Sequence, residues 1–217
     1  MAPAEFISIA EETGIIGALG RYVLQSALAD LADWRREGLI DAGAFVSVNL
    51  SAGQLEDRGL RAEVAAALHT AGLPPSALKL EITEATLMRE VERPGRVFDE
   101  LAAAGIGLRL DDLGTGFSSL ATLHRLPVEA LKVDASFVAA ISGATDTDDL
   151  LLRSTVGLAH GLELPAIAEG LESTAQLMRL RSLGCEYGQG HRFAPALAAA
   201  DVRGLLAGWA PSQIAAA

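Results

Sequence analysis

The sequence has a single cysteine, Cys185, so no disulfide bond can form within the chain. It has no apolar run near the ~20 residues of a membrane-spanning helix. Its first residues lack the basic segment followed by an apolar segment that is typical of a secretory signal. These absences exclude a disulfide-stabilised fold and give no sign of membrane insertion or export. We therefore expect a soluble protein of a reducing compartment, the cytoplasm.

Basic residues are also scarce, with 17 Lys and Arg against 28 Asp and Glu, which gives a formal charge of -11. A chain of this charge is a poor non-specific binder of nucleic acid, because it does not neutralise phosphates broadly. We therefore expect neither DNA nor RNA as a partner. A ligand that carries phosphate would need metal ions or a local cluster of basic side chains.

Hydrophobic residues make up 50% of the 217 residues, which suffices for one well-packed domain spanning 1–217. Composition changes nowhere sharply enough to mark a linker. Predicted strands cover 44–49, 77–82, 106–110, 130–134, 164–169 and 185–189, and predicted helices cover 3–12, 16–37, 60–71, 94–104, 119–125, 136–141, 148–160, 174–182 and 201–207. This alternation is typical of an α/β fold with parallel strands inside and helices outside.

A polar residue closes nearly every predicted strand. These residues are Asn49, Glu81, Asp111, Lys132, Glu169 and Gln189. Because the C-terminal ends of parallel barrel strands meet at one mouth, we expect these side chains to gather there. Asp112 follows Asp111 directly, and two adjacent carboxylates repel each other unless a cation lies between them.

The predicted mouth has the chemistry of a magnesium or manganese site. Its ligands are hard oxygen donors without accompanying His or Cys, which favours Mg²⁺ or Mn²⁺ over Zn²⁺ or copper. More than three carboxylates suit a pair of ions ~4 Å apart, an arrangement used for phosphoester hydrolysis. Lys132 would be charged among these anions and could orient the attacking water.

Two other interpretations of the same residues stay open. Any one polar residue at a strand–helix junction can simply cap the next helix, although capping does not explain the whole set. Lys132 could instead serve a magnesium-dependent barrel enzyme as a Schiff base or as a proton acceptor on a carbonyl substrate.

Seven stretches of the chain, in order, resemble the EAL domain family, the bacterial phosphodiesterases that hydrolyse cyclic di-GMP to linear pGpG. The stretches are residues 6–14, 48–51, 80–84, 111–120, 131–134, 168–172 and 188–190. The resemblance spans nearly the whole chain. It implies a modified TIM (β/α) barrel in which one strand runs against the others.

The resemblance also implies roles for individual residues. Metal ligands would be Asn49, Glu81, Asp111, Asp112 and Glu169, catalytic residues would be Lys132, Glu84 and Asp112, substrate-binding residues would be Gln189 and Asp134, and supporting residues would be Glu172 and the loop Gly114, Thr115 and Gly116. The implied cofactors are two Mg²⁺ or Mn²⁺ ions. The implied partners are cyclic di-GMP, a second copy of the chain, and an upstream sensor or GGDEF domain in a longer protein.

One feature of the family is missing from these residues. The family is named for a Glu-Ala-Leu stretch on an early strand, followed by an arginine; that glutamate is a metal ligand and the arginine contacts a substrate phosphate. Here the letters occur only at 129–131, in the strand that carries Lys132. We therefore expect the first two barrel strands to be absent. Hydrolysis of cyclic di-GMP, and an impaired module that binds cyclic di-GMP or a partner protein, both stay open as functions.

Overall fold

The computed structural model describes residues 3–91, 96–113, 123, 125–141 and 146–208. The chain forms two compact units, Met1–Leu108 and Arg109–Ala217. Among the described helices, none has both the length and the apolar composition that crossing a bilayer requires.

The first unit places helices around two parallel strands. It contains α1 (Pro3–Glu12), α2 (Ile16–Arg36), β1 (Val46–Asn49), α3 (Ala52–Leu55), α4 (Leu60–Ala71), β2 (Leu78–Thr83), α5 (Glu84–Val91), α6 (Arg96–Ala103) and the start of β3 (Gly107–Leu113). The long helix α2 packs against α4 and β1. It buries Leu24, Leu28 and Leu31, whose spacing of three and four residues puts them on one helical face.

The second unit continues the same alternation. It contains the rest of β3, followed by β4 (Ala130–Val133), α7 (Ala135–Ala140), α8 (Asp146–Gly161), β5 (Ala166–Ala168), α9 (Thr174–Ser182), β6 (Tyr187–Gly188) and α10 (Ala199–Ala207). Helix α8 packs against β4, β5 and α7. All residues of β4 and β5 are buried, as is usual for parallel strands that are covered on both faces.

In the first unit β1 lies next to β2, and in the second unit the strands follow one another in the order β3-β4-β5-β6. The pairs β1–β2, β3–β4, β4–β5 and β5–β6 are parallel. The predicted α/β class with parallel strands is therefore confirmed, and parallel pairing brings the C-terminal ends of neighbouring strands to the same edge of the sheet.

Several boundaries differ from the sequence prediction. Strand β3 was predicted to end at residue 110 but continues to Leu113, with an irregular register between Leu110 and Leu113. Helix α5 begins directly at the end of β2 and was not predicted. Strand β6 has only two residues. The predicted helix over 119–125 lies largely outside the described residues.

Candidate functional site

Four polar side chains of the second unit lie at the C-terminal ends of neighbouring parallel strands. Asp111 is on β3 and Lys132 is on β4, while Glu169 and Gln189 directly follow β5 and β6. The register that pairs Lys132 with Ile167 brings the ends of β4 and β5 level. The main-chain N–H of Glu169 donates a hydrogen bond to the carbonyl oxygen of Val133 at 3.1 Å, which fixes the backbone between them.

Lys132 is the centre of this group. Its side chain is only 2% exposed, and its Nζ lies 3.0 Å from Asp111 Oδ2. The same Nζ also contacts Glu169 Oε1. Burying an ammonium group costs several kcal/mol unless it is paired and hydrogen-bonded, and two carboxylates supply that compensation here. Lys132 therefore holds Asp111 and Glu169 in fixed positions on either side of it.

Gln189 completes the contacts of Glu169. Its Nε2 donates a hydrogen bond to Glu169 Oε1 at 2.8 Å, the same oxygen that Lys132 contacts. Two donors on one oxygen hold the carboxylate of Glu169 in a defined orientation. The predicted convergence of Asp111, Lys132, Glu169 and Gln189 is thus present in the second unit.

Asp112 has an unusual backbone conformation. Its φ is +56°, in the left-handed region that Asp tolerates better than most residues. Its N–H donates to Asp111 Oδ1 at 2.9 Å. The pKa of Asp112 is raised, chiefly by burial, then by the negative charges of Asp111 and Asp134 and a hydrogen bond with Asp134, while Lys132 opposes the rise. Burial and neighbouring negative charge both disfavour the charged form of a carboxyl group, which explains the direction of this change.

Asp134 and Glu172 have visible structural contacts of their own. Asp134 is the N-cap of α7: its Oδ1 accepts the N–H of Ser136 at 2.9 Å and also the Ser136 hydroxyl. The main-chain N–H of Glu172 donates to Gln176 Oε1 at 2.8 Å, just before the capping box that begins α9. For Asp134, the capping interpretation considered from sequence is thus confirmed as one of its roles.

In the first unit, Asn49 ends β1 and is paired with Glu81, which lies two residues before the end of β2. Glu81 is buried and Asn49 is exposed. Glu84 is also buried, at 3% exposure, as the first residue of α5. Helix α5 has a signal that the sequence analysis missed: Thr83 Oγ1 accepts the N–H of Thr86 at 3.2 Å, a hydroxyl cap at the helix start.

The remaining predicted site residues, Gly114, Thr115 and Gly116, lie outside the described residues. Conversely, the structure shows a contact that the sequence analysis missed. His160 Nε2, on an exposed side chain, lies 3.1 Å from Glu186 Oε1. No local sequence signal links residues 26 positions apart.

The donor chemistry of the site fits a divalent cation. Asp111 and Glu169 each offer a carboxylate oxygen, and these oxygens lie within 4.8 Å of each other. Carboxylate oxygens are the ligands that Mg²⁺ and Mn²⁺ prefer. Lys132 contacts both carboxylates of the close pair, and their mutual repulsion would make additional positive charge favourable there.

Comparisons with known proteins agree on one family. The EAL domain model matches residues 1–196. The chain is 40% identical over 191 residues to the bifunctional diguanylate cyclase/cyclic di-GMP phosphodiesterase MucR of Pseudomonas aeruginosa, covering 88% of this chain and 27% of that protein. It is 39% identical over 193 residues to the cyclic di-GMP phosphodiesterase NbdA of the same organism, covering 89% and 24%.

Among solved structures, the MucR phosphodiesterase of Pseudomonas aeruginosa in complex with cyclic di-GMP superposes with a TM-score of 0.88 at 37% identity, covering 93% of this chain and 81% of that one. This likeness confirms the predicted EAL-type fold, a modified TIM barrel. The chain spans about a quarter of the length of the two curated relatives.

Proposed function

Because the chain belongs to the EAL domain family, we propose that it is a metal-dependent phosphodiesterase that hydrolyses cyclic di-GMP to linear pGpG in bacterial second-messenger signalling. The observation that carries this proposal is the contact of the buried Lys132 with Asp111 and Glu169. The relatives named as cyclic di-GMP phosphodiesterases support the choice of substrate.

The proposed cofactors are two Mg²⁺ or Mn²⁺ ions, held by Asn49, Glu81, Asp111, Asp112 and Glu169. Support within the second unit comes from Asp111 and Glu169, whose carboxylate oxygens lie within 4.8 Å of each other. A divalent cation would neutralise part of the negative charge of the phosphodiester and would lower the pKa of a water molecule bound to it. Asn49, which is paired with Glu81 in the register of β1 and β2, would contribute its side-chain amide oxygen.

The chain's own residues would hold and orient the reactants. Lys132 donates hydrogen bonds from a buried position, so its ammonium group can orient the attacking water and help to neutralise charge that develops on the phosphate. Asp112 and Glu84 complete the proposed catalytic group, and Glu84 would act from the start of α5. Gln189 would present its amide to the substrate while it donates to Glu169.

The remaining assignments concern substrate contact and support. Asp134 would line the substrate site from the N-cap of α7. Glu172 would support the metal ligands from its position three residues after Glu169. The loop Gly114, Thr115 and Gly116 would connect dimer formation to metal binding, as the family resemblance implies.

Turnover by the purified chain tests the proposal. With saturating Mn²⁺ or Mg²⁺, conversion of cyclic di-GMP to pGpG should be visible by chromatography. Asp111→Asn and Glu169→Gln should each lower kcat/KM by roughly 100-fold or more. Glu100→Gln, which alters an exposed carboxylate on α6, is the matched control and should leave the rate unchanged. Absence of turnover in the unaltered chain under these conditions would refute the proposal.

The second candidate function is a receptor that binds cyclic di-GMP or a partner protein without hydrolysis. It is supported by the likeness to the MucR phosphodiesterase structure, which was solved as a complex with cyclic di-GMP. Calorimetry distinguishes the two functions: a receptor binds cyclic di-GMP in the presence of Mg²⁺ and releases no pGpG over hours. Pull-down with a partner protein is the corresponding test for the protein-binding form.

The proposed setting is a cytoplasmic homodimer that works with a sensor or GGDEF domain in a longer protein. The support is that MucR, named as both cyclase and phosphodiesterase, is covered to only 27% by this chain. Sedimentation equilibrium with and without Mg²⁺ measures whether two copies associate.

A further inference from the structure

Strand β6 directly precedes Gln189 and so determines where this residue lies in the site. The strand itself is held by little backbone pairing. It consists of Tyr187–Gly188 and stands last in the strand order, next to β5. Its register on β5 pairs Ile167 with Tyr187 and Ala168 with Gly188. A strand of two residues forms few ladder hydrogen bonds, so side-chain contacts must contribute to its register.

A carboxylate supplies such a contact at the start of the pair. Glu186 Oε2 accepts the main-chain N–H of Ala166, the first residue of β5, at 2.8 Å. The other oxygen, Oε1, lies 3.1 Å from Nε2 of His160 in the last turn of α8. One side chain therefore joins the residue before β6 to both β5 and α8.

The opposite end of the pair is the site itself. The N–H of Gln189 donates to the carbonyl oxygen of Ala168 at 2.8 Å, and Gln189 Nε2 donates to Glu169 Oε1 at 2.8 Å. Only Tyr187 and Gly188 separate Glu186 from Gln189. A shift of β6 at its start would therefore move the amide of Gln189 away from Glu169.

We propose that Glu186 is a positioning residue: by accepting the N–H of Ala166 it fixes β6 on β5, and through β6 it holds Gln189 on Glu169. The acceptor oxygen is the essential feature. The His160–Glu186 pair is about 40% exposed on both sides, at 39% and 42%, so its charge interaction contributes little. The proposal deepens the proposed function, since Glu169 is one of the proposed metal ligands.

A double-mutant cycle tests the route through Gln189. Mn²⁺ affinity is measured by calorimetry for the unaltered chain, Glu186→Ala, Gln189→Ala and the double variant, with Glu100→Ala as control. Each single variant should weaken Mn²⁺ binding roughly tenfold, as is typical for residues that orient a metal ligand. The double variant should bind like Gln189→Ala alone, because Glu186 acts through Gln189. Additive losses in the double variant would overturn the proposal.

Two further variants separate positioning from charge and from loss of folding. Glu186→Gln keeps an acceptor oxygen at the same reach and should bind Mn²⁺ within twofold of the unaltered chain. Glu186→Asp keeps the charge on a shorter side chain and should behave like Glu186→Ala. If Glu186→Gln is as damaging as Glu186→Ala, the acceptor role is wrong. Glu186→Asp also provides the test if the alanine variant fails to fold.

Amide hydrogen exchange gives a readout that needs neither metal nor turnover. In metal-free protein, the N–H of Gln189 should exchange at least tenfold faster in Glu186→Asp than in the unaltered chain, and Glu186→Gln should restore the slow rate. Unchanged exchange would overturn the proposal. If the unaltered chain neither binds Mn²⁺ nor hydrolyses cyclic di-GMP, the proposed function fails while this measurement still decides the role of Glu186.

Discussion

At the scale of single residues, the two lysines of the chain have opposite environments. Lys132 is 2% exposed and contacts Asp111 and Glu169. Lys79 is half-buried, with its Nζ 5.6 Å from the ring centroid of Phe45. Removing Lys132 would leave two neighbouring carboxylates without their shared cation, and a buried charge that loses its partner is far more costly than a surface charge that does so.

Replacing Lys132 with Met should therefore destabilise the metal-free protein by about 3–5 kcal/mol, whereas Lys79→Met should cost less than about 1 kcal/mol. Urea unfolding in the presence of EDTA measures both free energies of unfolding. Adding Mn²⁺ should recover more stability in Lys132→Met than in the unaltered chain, because the cation replaces the lost positive charge. Equal stabilities of the two lysine variants would contradict this account.

Cys185 offers a test of local burial. Burial raises the pKa of its thiol to about 11, and the charge of Glu186 adds to the rise. Since this lies above the ordinary value of 9.0, the thiolate fraction near pH 8 should be roughly 100-fold lower than in the unfolded chain. Iodoacetamide should therefore label the native protein much more slowly than the urea-unfolded protein, as measured by mass spectrometry.

The same pKa has a consequence for stability. A raised thiol pKa means that the folded state disfavours the thiolate, so its contribution to the free energy of unfolding is fully present below about pH 9 and is lost as the pH rises towards 11. Cys185→Ala should remove this part of the loss between pH 9 and pH 11. In the iodoacetamide experiment described above, equal labelling rates of Cys185 in the folded and unfolded protein would show that the fold does not protect the thiol.

At the scale of elements, the end of β6 depends on a glycine. Gly190 has a φ of +152°, and a Cβ added there would lie 2.3 Å from Leu171 N and 2.4 Å from Leu171 O. Both are main-chain atoms that form hydrogen bonds with the residues around Gly190. The N–H of Leu171 donates to the Gln189 carbonyl, and the Leu171 carbonyl accepts the N–H of Arg192. A side chain at position 190 therefore has no flexible neighbour that could yield.

Gly190→Ala should lower stability by about 1–3 kcal/mol through this forced overlap, whereas Gly157→Ala should raise it by about 0.5–1 kcal/mol. Gly157 is an exposed residue of α8 with nothing within 4 Å of an added Cβ. Thermal unfolding of both variants provides a matched comparison. If both substitutions change Tm in the same direction, the close approach of Leu171 to Gly190 does not limit this position.

Much of this element order was predictable because local signals mark it. The bounds of α1, α4 and α9 follow from apolar spacing and glycine stops, as at Gly72, which ends α4 with a φ of +66°. The expectation that polar residues at the ends of parallel strands lie close together also holds for Asp111, Lys132, Glu169 and Gln189. Helix α5 was missed because it follows β2 without an intervening turn. Glu186 was missed because its partners lie 20 and 26 residues away.

At the scale of the whole molecule, the net negative charge of the chain opposes the binding of a negatively charged ligand. The chain carries a formal charge of -11, and cyclic di-GMP carries two negatively charged phosphodiester groups. In the site, Lys132 provides one positive charge against the carboxylates of Asp111 and Glu169. Without added cations, the field of the protein opposes the approach of the dinucleotide. Divalent cations should therefore be required for binding as well as for the proposed hydrolysis.

Calorimetry in EDTA and in Mg²⁺ tests this requirement. The Kd for cyclic di-GMP should be at least roughly tenfold higher in EDTA, because no bound cation offsets the negative field.

Added salt should change the affinity for cyclic di-GMP in opposite directions in EDTA and in Mg²⁺. In EDTA, raising ionic strength shortens the screening length to about 8 Å at 0.15 M and should improve binding, since it screens repulsion. In Mg²⁺ the same salt should weaken binding, since it screens attraction. Asp111→Asn should abolish most of the difference between EDTA and Mg²⁺, whereas Glu100→Gln should preserve it. Equal affinities in EDTA and Mg²⁺ would mean that side chains alone neutralise the phosphates.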